Sequence, residues 1–148
     1  MRISKKCQYA LRAIFELSVR NTGHPVKIHD IADAQNVPPR FLEVILNQLR
    51  HAGFVESRRG NEGGYLLVNL PEKLTVGQVV ACIDGPISIT DENTKNNSAG
   101  SFFGDFAFEQ FWHKVNEAVS TICDNTSFAE LVEQEKKRKV CRVPNYTI

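Results

Sequence analysis

The chain has 148 residues, of which 42% are hydrophobic, and its formal net charge at pH 7 is only +1. This length suits one compact domain with at most one accessory element, and the composition excludes a uniformly basic protein. The charge is nevertheless uneven: residues 1–70 hold 10 Lys and Arg against 6 Asp and Glu, whereas residues 71–148 hold 8 against 11. A basic half joined to an acidic half indicates that one end of the molecule faces a polyanion.

The four cysteines, Cys7, Cys82, Cys123 and Cys141, are widely separated and form no C-x-x-C pair. Scattered cysteines of this kind are typical of free thiols in a reducing compartment. The amino terminus lacks the apolar core of a signal peptide, and no apolar run is long enough to cross a membrane. We therefore expect a soluble, cytoplasmic protein without a membrane partner.

The first predicted helix is capped by Ser4 and runs to about Arg20. Its apolar residues form two neighbouring stripes that together cover an arc of about 200°, which is more than a helix on a single core requires. The stripes are Ala10, Ala13, Ile14 and Leu17, and Cys7, Leu11, Phe15 and Ser18. Either the helix is deeply buried in its own domain, or the second stripe packs on a partner subunit, which the small size of the domain favours. Lys5 and Lys6 lie in its first turn, and we expect them either to contact phosphate or to be solvated.

A short helix over residues 27–35 and a second helix over residues 38–52 form a predicted helix-turn-helix. Pro38 and Pro39 suit the start of the second helix, and Gly53 suits its end. The predicted inward face is Phe41, Leu42, Ile45, Leu46, Leu49 and Ala52, and the opposite face is Arg40, Glu43, Val44, Asn47 and His51, with Arg50 at its edge. We call this second helix the recognition helix, because it is the element that such a unit inserts into the major groove.

The side chains on the exposed face suit the edges of DNA bases. Arg40 could donate two hydrogen bonds to guanine, Asn47 could pair with adenine, and Glu43 could accept from cytosine. Val44 suits a thymine methyl group. If the partner is instead a protein, the same residues form an exposed basic patch.

Two β-like runs, residues 54–57 and 65–68, flank a glycine-rich turn and predict a hairpin, which we call the wing. Arg59 at its tip would enter a minor groove, and Arg58 would meet phosphate. Gly60 and Tyr65 complete the predicted DNA-contacting part of the wing. Alternatively, the recognition helix is an ordinary amphipathic helix and the two arginines of the turn are merely solvated, so that the chain has no DNA partner.

Three further helices are predicted after the wing, over residues 76–83, 102–124 and 128–139, and the polar segment 87–101 is expected to be a loop. The second of these helices has an aromatic-rich stripe and is longer than this domain needs for its own core. We interpret the stripe as a two-fold dimer interface. The predicted interface residues are Leu11, Phe15, Phe108, Phe111, Trp112, Val115, Val119 and Ile122.

The sequence also resembles the IscR/NsrR/CymR family of bacterial winged-helix transcription regulators. The resemblance rests on the R-G-x-x-G-G-Y run that begins at Arg59, on FLE and LRHAGFV before it, and on ISKKCQYALRAIFELS, LTVGQVVACIDGPI and SFAELV elsewhere. It extends from about Met1 to Val132. It implies groove contacts at Arg40 and Glu43, and a dimer in which the long helices of two subunits pack together.

Cluster-binding members of this family have three cysteines in the segment that corresponds to residues 87–101, and this chain has none there. We therefore expect no iron–sulfur cluster, no other cofactor and no metal. The signal would then be thiol chemistry, for which Cys7 is the candidate, a small molecule near the dimer helices, or a partner protein.

The sequence thus predicts a mainly α fold with a small β wing. Residues 1–85 would be a winged helix-turn-helix DNA-binding domain, residues 86–101 a flexible loop, and residues 102–148 the dimerisation helix with a last helix and tail. The predicted function is a DNA-binding transcription regulator, a repressor that binds a palindromic operator as a homodimer. The alternative is a protein-interaction module that kept the fold without DNA binding. No motif of an enzyme is present.

Overall fold

The computed structural model describes residues 2–89 and 102–141, which form six helices and one two-stranded sheet. The elements are α1 (Lys5–Val19), α2 (Ile28–Gln35), α3 (Pro39–His51), β1 (Val55–Arg58), β2 (Gly64–Leu67), α4 (Val76–Asp84), α5 (Asp105–Asn125) and α6 (Phe128–Cys141), with a 3₁₀ turn at Pro71–Lys73. The predicted mainly α fold with a small β wing is confirmed. No helix in these two described ranges is long and apolar enough to cross a membrane.

Helix α1 is the central element, since it packs against α2, α3, α4 and α6. Ser4 caps it as predicted, and its Oγ accepts a hydrogen bond from the backbone N–H of Cys7 at 3.0 Å. The backbone N–H and the hydroxyl of Ser4 also donate to the carboxylate of Asp84, at 2.8 and 2.5 Å. These bonds fix the start of α1 to the end of α4.

The second stripe of α1 does not face a partner along its whole length. Cys7 and Ser18 are buried inside the subunit, where Ser18 donates to the carbonyl of Ile14 at 2.7 Å. Leu11 and Phe15 are half-buried and pack against the core from its edge. Only these two members of the second stripe are left with surface that another chain could cover.

Helix α3 begins at Pro39, after an extended Pro38, and buries Leu42, Ile45, Leu46 and Leu49. The prediction that Phe41 and Ala52 also face inward is wrong. Phe41 lies in the first turn of α3, where its ring rests on Tyr9 of α1 and stays 44% exposed. Ala52 is exposed because it forms the C-cap, one residue beyond the end of the helix.

The wing is an antiparallel pair in which Val55 lies opposite Leu67 and Arg58 lies opposite Gly64. Its strands are each displaced by one residue from the predicted runs. Beside it, Val26 and Tyr65 exchange two backbone N–H···O bonds of 2.8 Å, which tie the wing to the start of α2. Gly64 permits this contact, since a Cβ there would lie 2.4 Å from the carbonyl oxygen of Val26.

The two carboxy-terminal helices join the domain at different places, since α5 packs against α4 whereas α6 packs against α1 and the 3₁₀ turn. Thr75 and Gln78 begin α4 with a capping box. Thr75 also pairs with Ser127, the residue before α6. The end of α5 lies so close to α4 that a Cβ on Gly77 would collide with the carboxylate of Asp124. In contrast, no residue along the whole of α5 is buried. The predicted loop falls mostly on residues 90–101 and the tail on residues 142–148, which lie outside the described residues.

Candidate nucleic-acid interface

One face of α3 is free of the core and mainly polar. Arg40, Glu43, Asn47 and Arg50 are all exposed there, and Val44 between them is 61% exposed. The face is available because the four large aliphatic residues of α3 are on the opposite side, against α1 and β1. The structure therefore brings together on one surface every residue of α3 that was predicted to contact DNA.

Asn47 and Arg50 are hydrogen-bonded to each other rather than free. The guanidinium of Arg50 donates to Oδ1 of Asn47 at 2.7 Å, and it also approaches the hydroxyl of Ser57 in the wing at 3.4 Å. The amide oxygen of Asn47 is thus occupied, whereas a bidentate pair with adenine needs both its oxygen and its nitrogen. Arg50 connects the end of α3 to the wing in this arrangement.

The two wing arginines differ in their surroundings. Arg58 lies 3.3 Å from the carboxylate of Glu56, so its charge is partly balanced within the wing. Arg59 is exposed, and no side chain among residues 2–89 and 102–141 pairs with it. Gly60 follows with a φ of +109°, in the region that favours glycine, and so allows the tight turn at the tip. Arg59 is the wing cation that is free to meet an anion.

A shallow basin lies between the wing tip and the start of α2. Lys27, His29, Arg58 and Arg59 line it together with the glycines of the turn. Neither Lys27 nor His29 was among the residues predicted to contact DNA. No local sequence signal could have found this basin, because the Val26–Tyr65 pairing that forms it joins residues almost forty positions apart. A concave, cationic surface of this kind suits phosphate oxygens.

The other two predicted contacts are Lys5 and Tyr65. Lys5 is exposed in the first turn of α1. Tyr65 is half-buried, and its backbone is engaged with Val26. Tyr65 therefore holds the wing in place, and it also lines the basin beside Arg58 and Arg59.

The predicted dimer interface forms an apolar surface on the single subunit. Phe108, Phe111 and Ile122 of α5 are 66%, 53% and 67% exposed, and Trp112 is also exposed, whereas Val115 and Val119 are half-buried where α5 approaches α4. Phe111 and Trp112 contact each other edge to face, with ring centroids 5.0 Å apart. Leu11 and Phe15 line a separate groove between α1 and α6. Apolar exposure on this scale is typical of an interaction surface.

The surroundings of Cys7 disfavour a redox role. The side chain is fully buried, and its pKa is raised to about 12, first by burial and then by the nearby carboxylate of Asp84. A reactive cysteine needs an accessible thiolate, and Cys7 has neither the access nor the charge near neutral pH. Cys7 is better described as a small core residue at the joint between α1 and α4.

These features together define a winged-helix DNA-binding fold: a helix-turn-helix with a polar face on its second helix, followed by a wing with a free arginine. The Rrf2 family model, described as an iron-dependent transcriptional regulator, matches residues 3–134, and the chain belongs to this family of transcriptional regulators, which are not enzymes.

Named relatives and solved structures agree with this assignment. The chain is 30% identical over 131 residues to the HTH-type transcriptional regulator CymR of Bacillus subtilis, with 88% of this chain and 89% of that one covered. It is 31% identical over 136 residues to IscR of Yersinia enterocolitica, covering 91% and 81% of the two chains. The structure of CymR, the global cysteine regulator of B. subtilis, superposes with a TM-score of 0.79 at 29% identity, over 90% of this chain and 98% of that one.

The prediction that the chain has no cofactor is wrong. It relied only on the lack of cysteine in residues 87–101, whereas the family is described as iron-dependent and the chain has four cysteines elsewhere. Among the described residues, however, no three His, Cys, Asp or Glu side chains lie close enough together to hold a metal ion.

Proposed function

We propose that this regulator binds a palindromic operator as a homodimer and represses transcription by blocking access to the promoter. The observation that supports this most strongly is the free polar face of α3 beside the unpaired Arg59 of the wing. In this proposal α3 enters the major groove, with Arg40 on guanine and Glu43 on cytosine, while Val44 lies against a thymine methyl group.

The wing and the start of α1 would hold the recognition helix in register. Arg59 enters the minor groove, where narrow A·T tracts attract arginine, and Arg58 and Lys27 meet the phosphates that line the basin. Lys5 adds a phosphate contact from α1. Asn47 contacts a base through its amide nitrogen, while its oxygen stays bonded to Arg50.

The homodimer would form through α5. A helix of 21 residues spans about 32 Å at ~1.5 Å per residue, and none of its residues is buried by the subunit itself. A two-fold axis beside Phe108, Phe111, Trp112 and Ile122 would cover this surface and present two copies of α3 to one duplex. Val115 and Val119, together with Leu11 and Phe15, would complete the interface.

Such a repressor works on the chromosome, so the proposal places it in the cytoplasm. Its effector, a small molecule or a partner protein, would act by favouring one spacing of the two recognition helices. A spacing that no longer matches the operator would release the DNA.

Selection of bound fragments from a genomic DNA library tests the proposal. The purified protein should enrich a small set of fragments that share an inverted repeat. Arg40→Ala should weaken this enrichment and remove the base preference at one position of each half-site, whereas Arg138→Ala on α6 should keep both. If the wild type enriches no fragments, the chain is instead a protein-interaction module that has retained the fold.

A further inference from the structure

Arg40 is held against an aromatic ring, not against another polar group. Its Cζ lies 4.9 Å from the centroid of the Phe41 ring. No hydrogen bond or ion pair in the described parts of the chain involves its guanidinium. All of its N–H donors are therefore unused. The ring of Phe41 is the contact that restricts where the cation can lie.

The ring of Phe41 is itself supported by a second helix. Tyr9 of α1 lies beside it, with centroids 6.1 Å apart and planes inclined by 32°. This separation is within the range of favourable aromatic pairs. Tyr9 is half-buried and packs against the core, so the platform under Arg40 is connected to α1, the central helix of the fold.

The exposure of Phe41 argues against a purely structural role. A core residue would be covered, yet 44% of this side chain remains exposed, on the face where Arg40 and Val44 also emerge. Cation–π attraction acts over distances up to about 6 Å and holds a guanidinium against a ring while its N–H groups stay available.

We propose that the Tyr9–Phe41 ring pair positions Arg40 before DNA arrives, and that Phe41 is therefore a specificity-determining residue for the base pair that Arg40 contacts. The inference rests on the proposed function, and it adds residues that the recognition face alone does not include. A guanidinium that is already held in one place can form two hydrogen bonds to one base without a further loss of side-chain conformational entropy. A free guanidinium would distribute its contacts among neighbouring bases and phosphates.

The test compares base preference rather than affinity alone. The position contacted by Arg40 is the one at which Arg40→Ala abolishes preference in the selected operator. Phe41→Leu removes the ring and keeps an apolar side chain, so preference at that position should fall by about two- to fivefold, the factor that corresponds to an exposed cation–π contact. Phe41→Trp should retain the preference, and Tyr9→Leu should reduce it in the same direction as Phe41→Leu.

A double-mutant cycle shows whether Phe41 acts through Arg40. In the Arg40→Ala background, Phe41→Leu should have no further effect on preference at any position. A remaining effect there would mean that Phe41 contacts DNA independently, which would overturn the proposal. Equal loss of affinity for all four bases would also overturn it, since that result indicates general damage to α3.

Two controls keep the result interpretable. Leu70→Ala removes an exposed apolar side chain outside α3 and should leave the preference unchanged. If Phe41→Leu does not fold, as judged by its thermal unfolding, Tyr9→Leu and its own cycle with Arg40→Ala decide the question. Failure of the wild type to select any operator would refute the proposed function, whereas an operator that is insensitive to Phe41 and Tyr9 would refute this inference alone.

Discussion

Replacement of Arg59 by alanine should change how strongly salt weakens operator binding. Arg59 is exposed at the tip of the wing, and no described side chain pairs with it, in contrast to Arg58, which lies 3.3 Å from Glu56. A cation without an internal partner is fully available to a polyanion, and its binding releases counterions from the DNA.

The size of the change follows from two-fold symmetry. Each neutralised phosphate contributes about 0.9 to the slope of log K against log salt concentration, and the proposed homodimer has two copies of Arg59. Arg59→Ala should therefore reduce the magnitude of the slope by about 1.8. Between about 50 and 200 mM salt, the wild type should lose roughly tenfold more affinity than the variant.

Fluorescence anisotropy with a labelled operator duplex, repeated at several salt concentrations, measures this slope directly. Arg138→Ala is the control for net charge, because it removes one positive charge from an exposed site on α6, where Arg138 lies 4.0 Å from the carboxylate of Glu135. An Arg59→Ala slope equal to that of the wild type would refute a role of the wing in contacting DNA. An equal reduction in both variants would show that net charge alone, and not the location of Arg59, controls the salt dependence.

Three other predictions concern the dimer, the wing and the core. Phe111→Glu should convert the proposed dimer to monomers in sedimentation experiments, because it places a charge on the exposed apolar surface of α5, whereas His113→Glu at another exposed position of the same helix should stay dimeric. Gly64→Ala should destabilise the wing by about 1–3 kcal/mol, since the new Cβ would lie 2.4 Å from the carbonyl of Val26; operator affinity should fall while far-ultraviolet circular dichroism keeps its helical signal. Burial and the Asp84 carboxylate raise the pKa of Cys7 from 9.0 to about 12, so the folded state holds this proton more tightly than the unfolded state. The free energy of unfolding should therefore decline as pH rises from 9 towards 12. Urea titrations should show a smaller decline for Cys7→Ala than for the wild type, and equal declines in the two proteins would contradict this prediction.

Most of the fold could be predicted because its local signals agree with one another. Pro39 stands at the start of α3 and Gly53 just after it, and the two strands of the wing differ from the predicted runs by one residue each. Ser4 and Thr75 cap their helices as expected. Caps and turns depend on residues that are neighbours in sequence, which is why sequence alone locates them.

Helical periodicity could not show what covers each apolar face. Phe41 continues the inward stripe of α3 by its spacing, yet it projects from the first turn and supports Arg40 instead. Cys7 follows the same spacing as Leu11 and Phe15 on α1, but the end of α4 covers it. An apolar stripe shows only that one face of a helix is apolar. The tertiary arrangement determines whether that face contacts the core, a partner or solvent.

The cofactor prediction failed for a different reason. It inferred the absence of a cluster from one segment that lacks cysteine and set aside the distant cysteines, although all four cysteines lie elsewhere, in α1, α4, α5 and α6. Ligands for a metal can come from distant parts of a chain, so the composition of one loop does not decide the matter.

The measurement that tests the central claim most directly is a hydroxyl-radical footprint on the DNA fragment that the protein selects. Two subunits related by a two-fold axis, each with α3 in a major groove and Arg59 in the adjacent minor groove, should protect two identical tracts in inverted orientation. Arg59→Ala should remove the minor-groove part of both tracts together. A single asymmetric tract, or two tracts in direct repeat, would contradict the account.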